Sequence, residues 1–154
     1  MRKTVLILFL LLLSPRASSA LPHSVFVSNE GKWTEPIAEA VKARLNGTSR
    51  YQTVAEMPGA ELFLLIHCIG AENLRGAACS FSIFLAPQFS PLLYVPIDPG
   101  REISSGDTMK VVEYIFEQFV EMTTEPKIQK AEVGVKASIK QFCSERENAK
   151  YCRP

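Results

Sequence analysis

The chain of 154 residues lacks several features that would assign it to a functional class. It has no CxxC, HExxH, GxSxG or phosphate-loop pattern, so we expect no catalytic residues, no metal and no cofactor. It has no basic block, and nucleic-acid binding requires a positive surface. It also has no apolar run long enough to span a bilayer, so we expect no stable membrane insertion after signal cleavage.

Residues 1–20 follow the pattern of a cleavable signal peptide. Two basic residues precede the apolar run at 5–13, and Ser18 and Ala20 occupy the small-residue positions that signal peptidase recognises. At a rise of ~1.5 Å per residue this run spans only ~14 Å, about half of a hydrocarbon core. We therefore predict cleavage after Ala20 and export to the periplasm or the medium. The remainder, 21–154, has a net charge of −2 and is predicted to be one α+β globular domain with a helical C-terminal tail.

The four cysteines all lie in the exported part, where an even number indicates disulfide bonds. A hairpin loop at 70–76 would place Cys68 directly opposite Cys79, at a separation that a disulfide accepts. The favoured pairing is therefore Cys68 with Cys79 and Cys143 with Cys152. Pairings that join the hairpin to the C-terminal tail remain open.

Hydrophobic periodicity predicts the order β-α-β-β-β-β-α-α, a mainly antiparallel sheet covered by helices. The apolar stretch 62–69 is typical of a strand buried on both faces. Pro96 indicates that the strand at 92–97 lies at a sheet edge. The predicted strands are 24–28, 51–54, 62–69, 77–86 and 92–97, followed by a helix capped by Asp107 and a last helix whose apolar seam runs from Ile128 to Phe142. The predicted core comprises Phe63, Leu64, Leu65, Ile66, Phe81, Ile83, Val112, Phe116, Phe119 and Ile139.

This order, over roughly residues 24–122, is similar to small envelope domains in which a β-α-β unit is extended by a meander. The amino-terminal domain of the Tol-system propeller protein and the adaptor lipoproteins of cell-wall synthases are examples. The resemblance is one of topology, carries no motif and implies no functional residues.

The two histidines of the exported part do not form an evident catalytic group. His67 and Cys68 are neighbours on a strand, so their side chains point to opposite faces. Ser80 lies across the hairpin from His67, but no carboxylate is evident to orient the ring. His23 stands third after the predicted cleavage point, where Pro22 blocks a terminal copper site, and we predict that it is solvated.

Two polar clusters also have structural explanations. Ser104 to Asp107 is typical of a helix cap. Glu113, Glu117 and Glu121 recur at spacing four, which is typical of a solvated helix face, and no second carboxylate cluster completes a site.

These observations favour an exported, non-enzymatic binding or accessory protein of the bacterial envelope or medium. Its partner would be another envelope or secreted protein, contacted through aromatic residues outside the core, namely Trp33, Phe89 and Tyr114. A secreted inhibitor, immunity or effector-type protein is the alternative. An enzyme with an unfamiliar active site is a third hypothesis.

Overall fold

The computed structural model describes residues 21–28, 31–70, 76–86 and 95–144. The predicted signal peptide lies outside these ranges. The described residues form five strands and three helices in one domain. In chain order they are β1 (His23–Val27), α1 (Thr34–Asn46), β2 (Tyr51–Val54), β3 (Leu62–Gly70), β4 (Ala77–Leu85), β5 (Val95–Ser105), α2 (Thr108–Met122) and α3 (Glu125–Ser144).

The strands form one mixed sheet in the order β2-β1-β3-β4-β5. β1 runs parallel to both β2 and β3, whereas β3, β4 and β5 form an antiparallel meander. The predicted α+β class is confirmed, but the sheet is more mixed than predicted, because β1 pairs in parallel with both of its neighbours. The chain returns to the same end of the sheet twice, through the helical crossover α1 before β2 and through residues 55–61 before β3, so that β2 and β3 both run parallel to β1.

The core lies between the inner face of the sheet and the helices α1 and α2. Alternate residues of the strands point inward, as the period of two requires. On α1 the buried positions recur at a spacing of three to four, which turns one stripe of the helix toward the sheet. Asp107 caps α2, since its side chain accepts a hydrogen bond from the Met109 amide at 2.9 Å. The fully buried side chains include Val25, Val27, Ile37, Val41, Leu45, Leu62, Leu64, Ile83, Leu85, Ile115 and Phe119.

The predicted core is confirmed at most positions and wrong at three. Leu65 is 37% exposed, because β3 is buried on both faces only at Leu62–Leu64 and alternates beyond that point. Phe116 and Ile139 are only partly buried. The predicted seam of the last helix also stops short of its end, since Phe142 is 47% exposed.

β5 is an edge strand, as Pro96 predicted, but it extends much farther than the predicted 92–97. Its pairing with β4 shifts register beside Asp98, which is buried and accepts hydrogen bonds from the Gly100 amide and the Arg101 guanidinium. Gly100 has a φ of 149°, a backbone conformation that side-chain-bearing residues rarely adopt. Beyond this bulge the strand continues to Ser105. Ser104 therefore lies in the sheet and not in the predicted helix cap.

Leu64 and Leu65 provide a matched test of the sheet orientation, because they are neighbours on β3 with opposite exposure. We expect Leu64→Ala to reduce the free energy of unfolding by ~2–5 kcal/mol, since the removed methyl groups leave a cavity. Leu65→Ala should cost less than ~1 kcal/mol. Urea denaturation of both variants measures this difference, and equal losses would mean that the inner and outer faces of β3 are assigned incorrectly.

Candidate functional site

The outer face of the sheet, which we define as the side of β3, β4 and β5 that points away from α1 and α2, carries two cross-strand rows of side chains. His67 pairs with Ser80, and Ser80 pairs with Glu102 on β5. The adjacent row consists of Ile69, Ala78 and Ser104. Except for the half-buried Ala78, all of these residues are exposed.

The two rows surround an open depression of about 440 Å³. Cys79 and Ile103 also line it, but they belong to the inward-pointing positions of their strands, so they contribute mainly backbone. The volume lies within the range of ~300–1,000 Å³ that is typical of small-molecule sites. The depression is thus large enough for a small ligand or for one long side chain of another protein.

The order of residues in the first row is unsuited to a catalytic triad. A triad requires the histidine between the serine and the carboxylate. Here Ser80 is in the middle, and His67 and Glu102 lie two strands apart, a Cα separation of roughly 9 to 10 Å. The carboxylate that the sequence did not reveal is therefore present, but it lies on the wrong side of the serine to orient the His67 ring. The row provides hydrogen-bonding groups and one negative charge.

The predicted contact residues occupy three different settings. Phe89 lies outside the described residues. Tyr114 is partly buried and packs edge-on against Phe81, with ring centroids 6.1 Å apart, so it lies against the core, and its contact with a partner stays a prediction. Helical spacing misplaced it because its long ring reaches back to the sheet from the margin of the buried stripe.

Trp33 is 44% exposed and lies at the end of β3, just before α1. Its ring packs so closely on Gly70 that a Cβ atom there would come within 2.4 Å of it. The Lys32 ammonium lies 5.5 Å from the ring centroid. Position 70 points to the same face of the sheet as Cys68, which is the face covered by the helices. Trp33 therefore packs on the inner face at the end of β3 and is not part of the outer face.

A disulfide between Cys68 and Cys79 joins β3 to β4 behind the His67–Ser80 pair. The two residues lie directly opposite each other in the register, as the hairpin geometry predicted, and their Cα atoms are 4.1 Å apart. Cys152 lies outside the described residues, so its pairing with Cys143 stays a prediction.

Two of the three helix glutamates take part in structural ion pairs. Glu113 pairs with Arg44 of α1, and Glu121 lies 3.7 Å from the Lys127 ammonium. Among the residues that the structure describes, no group of three or more histidines, cysteines and carboxylates is arranged to hold a metal ion.

His23 lies between two carboxylates, so the prediction that it is solvated is wrong. Its Nδ1 is 2.9 Å from Glu61, just before β3, and its Nε2 is 2.7 Å from Glu125, in the first turn of α3. Burial by itself lowers the pKa of His23, but the hydrogen bonds and negative charges of both glutamates outweigh it and raise the pKa above its usual 6.5. The His23 ring thus joins β1, the start of β3 and α3.

Non-reducing peptide mapping tests the disulfides. We expect one fragment that links residue 68 to residue 79 and a second that links 143 to 152. Replacing both Cys68 and Cys79 by alanine should reduce the free energy of unfolding by ~3 kcal/mol, the loop entropy of a short closed segment. A fragment joining the hairpin to the tail would contradict the pairing.

The pH dependence of stability tests the His23 cluster. Because the pKa of His23 is higher in the folded than in the unfolded chain, its contribution is complete below the unfolded value of 6.5 and disappears as the pH rises through the folded value. We expect urea denaturation between about pH 5.5 and about pH 9 to show this loss in the native chain and not in His23→Gln. The control His67→Gln should retain it. Identical pH profiles for the native chain and His23→Gln would contradict the cluster.

Neither family models, curated proteins nor solved structures match this chain. In the described ranges no helix has both the length and the apolarity needed to cross a membrane.

Proposed function

We propose that this chain is an exported binding protein of the bacterial envelope or medium, and that it contacts another protein through the outer face of β3, β4 and β5. The observation that carries the proposal is the exposure of apolar residues on that face. Ile69 is 61% exposed and Leu65 37%, and they flank His67 on the same strand.

The composition of this face supports binding of a macromolecule. Exposed aliphatic side chains beside hydrogen-bonding groups are characteristic of interfaces, which combine an apolar centre with a polar rim. The face is also held in shape, because the disulfide joins β3 and β4 beneath it. A rigid surface loses little conformational entropy when a partner binds, which favours affinity.

Two observations support export. The amino-terminal pattern is typical of a signal peptide. The disulfide between Cys68 and Cys79 is of the kind that persists in oxidising compartments.

Site-specific photo-crosslinking tests the contact surface. A benzophenone amino acid at position 69, in the full chain produced in its native host, should yield a discrete adduct with a second protein on irradiation. The control is position 109, since Met109 is 55% exposed but belongs to α2, in the helical layer. We expect at least about fivefold more adduct from position 69 than from position 109. An interface covers only a small part of a protein's surface, so a residue outside it rarely lies near the partner.

Once the partner is identified from the adduct, the matched substitutions Ile69→Gln and Met109→Gln measure the contribution of the apolar contact. Ile69→Gln should weaken binding by about tenfold, whereas Met109→Gln should leave the affinity unchanged. Equal adducts from both positions, or equal affinities of both variants, would contradict the proposed surface.

A further inference from the structure

We propose that the depression on the outer face binds a cationic side chain, lysine or arginine, of the partner protein. This inference rests on the proposed function, since it names the chemistry by which that surface recognises its partner. It is argued from the charge, the hydrogen-bonding groups and the shape of the depression.

The negative charge of the depression comes from Glu102. Among the described residues it is the only carboxylate that lines the depression, and it is exposed on β5. Within the described part of the chain Glu102 takes part in no ion pair, whereas several other glutamates do, namely Glu39, Glu61, Glu113, Glu121 and Glu125. Its charge is therefore available to a cation from outside the molecule.

The neighbouring hydroxyl groups suit the same ligand. Ser80 lies directly across from Glu102, and Ser104 lies two residues along β5 on the same face, about 7 Å away between Cα atoms. Lysine and arginine have several N–H donors and no acceptor, so they need a cluster of oxygen acceptors. A carboxylate beside two hydroxyls provides such a cluster, and hydrogen bonds between charged partners are the strongest kind.

The apolar side of the depression suits the stem of such a side chain. Ile69 and Ala78 line it beside the polar row. Lysine and arginine cover apolar surface with their methylene groups while the charged end stays polar. An anionic ligand would meet the Glu102 carboxylate, and a purely apolar ligand would remove Glu102 from water without a partner, which is costly. The combination therefore favours a cation on an aliphatic stem.

Nuclear magnetic resonance of the disulfide-bonded exported chain tests this inference. The probes are the blocked amino acids N-acetyl-lysine methylamide and N-acetyl-arginine methylamide, and the neutral control is N-acetyl-norleucine methylamide. We expect saturable shifts of the Ser80, Glu102 and Ser104 amides below about 100 mM of a cationic probe. The neutral control should produce none.

Two matched variants separate charge recognition from general effects. Glu102→Gln retains the shape of the side chain and should raise the Kd of the cationic probe at least about fivefold, since the charge is lost. The control Glu117→Gln changes another exposed glutamate, which lies on α2 and has no ion pair among the described residues, and it should leave the Kd within about twofold. Unchanged spectral dispersion shows that each variant is folded.

Three results would overturn the inference: no saturable shifts at these amides, equal shifts with the norleucine probe, or an unchanged Kd in Glu102→Gln. Its failure is distinguishable from failure of the proposed function. If position 69 still cross-links to a partner, the proposed contact surface is supported and only the recognition of a cationic side chain is wrong. If the probe binds and position 69 yields no specific adduct, the depression is a cation-binding site but the proposed contact with a partner protein is wrong.

Discussion

Nine residue pairs join β3 to β4, from Leu62–Leu85 to Gly70–Ala77, without a shift in register. Because side chains alternate along a strand, this pairing determines the core and the outer face together. It turns Leu64 and Cys68 toward the helices and presents His67 and Ile69 on the opposite side. A slip by one residue would bury the histidine and expose the leucine, so the hydrophobic effect that maintains the core also maintains the outer surface.

The hairpin was predictable because its signals are local. Glycines at 70 and 76 flank the loop, and the alternation around Phe81 is regular, so the pairing of Cys68 with Cys79 followed from counting. The position of β1 was harder to predict because its neighbours are distant in sequence and its short apolar stretch fits a parallel or an antiparallel partner equally well. The connection through α1 did indicate that β2 is parallel to β1, since a helical crossover favours parallel strands.

The candidate site depended on features that no short pattern contains. Glu102 lies opposite Ser80 only because β5 continues past the bulge beside Asp98, in a stretch where Pro96, Pro99 and Gly100 all argue against a strand. His23 contacts the carboxylates of Glu61 and Glu125, which are distant from it in the sequence. Periodicity predicts the face of a strand or helix on which a residue lies. It does not predict which charged residue from a distant part of the sequence will contact that residue.

The contact between Trp33 and Gly70 links the start of α1 to the end of β3. The Trp33 ring leaves no space for a methyl group at position 70, so any side chain there would require the ring to move. Replacing the glycine would displace the tryptophan ring, and a smaller residue at 33 would leave the strand end uncovered. The absence of a side chain at 70 is thus what allows an aromatic ring to close this corner of the domain.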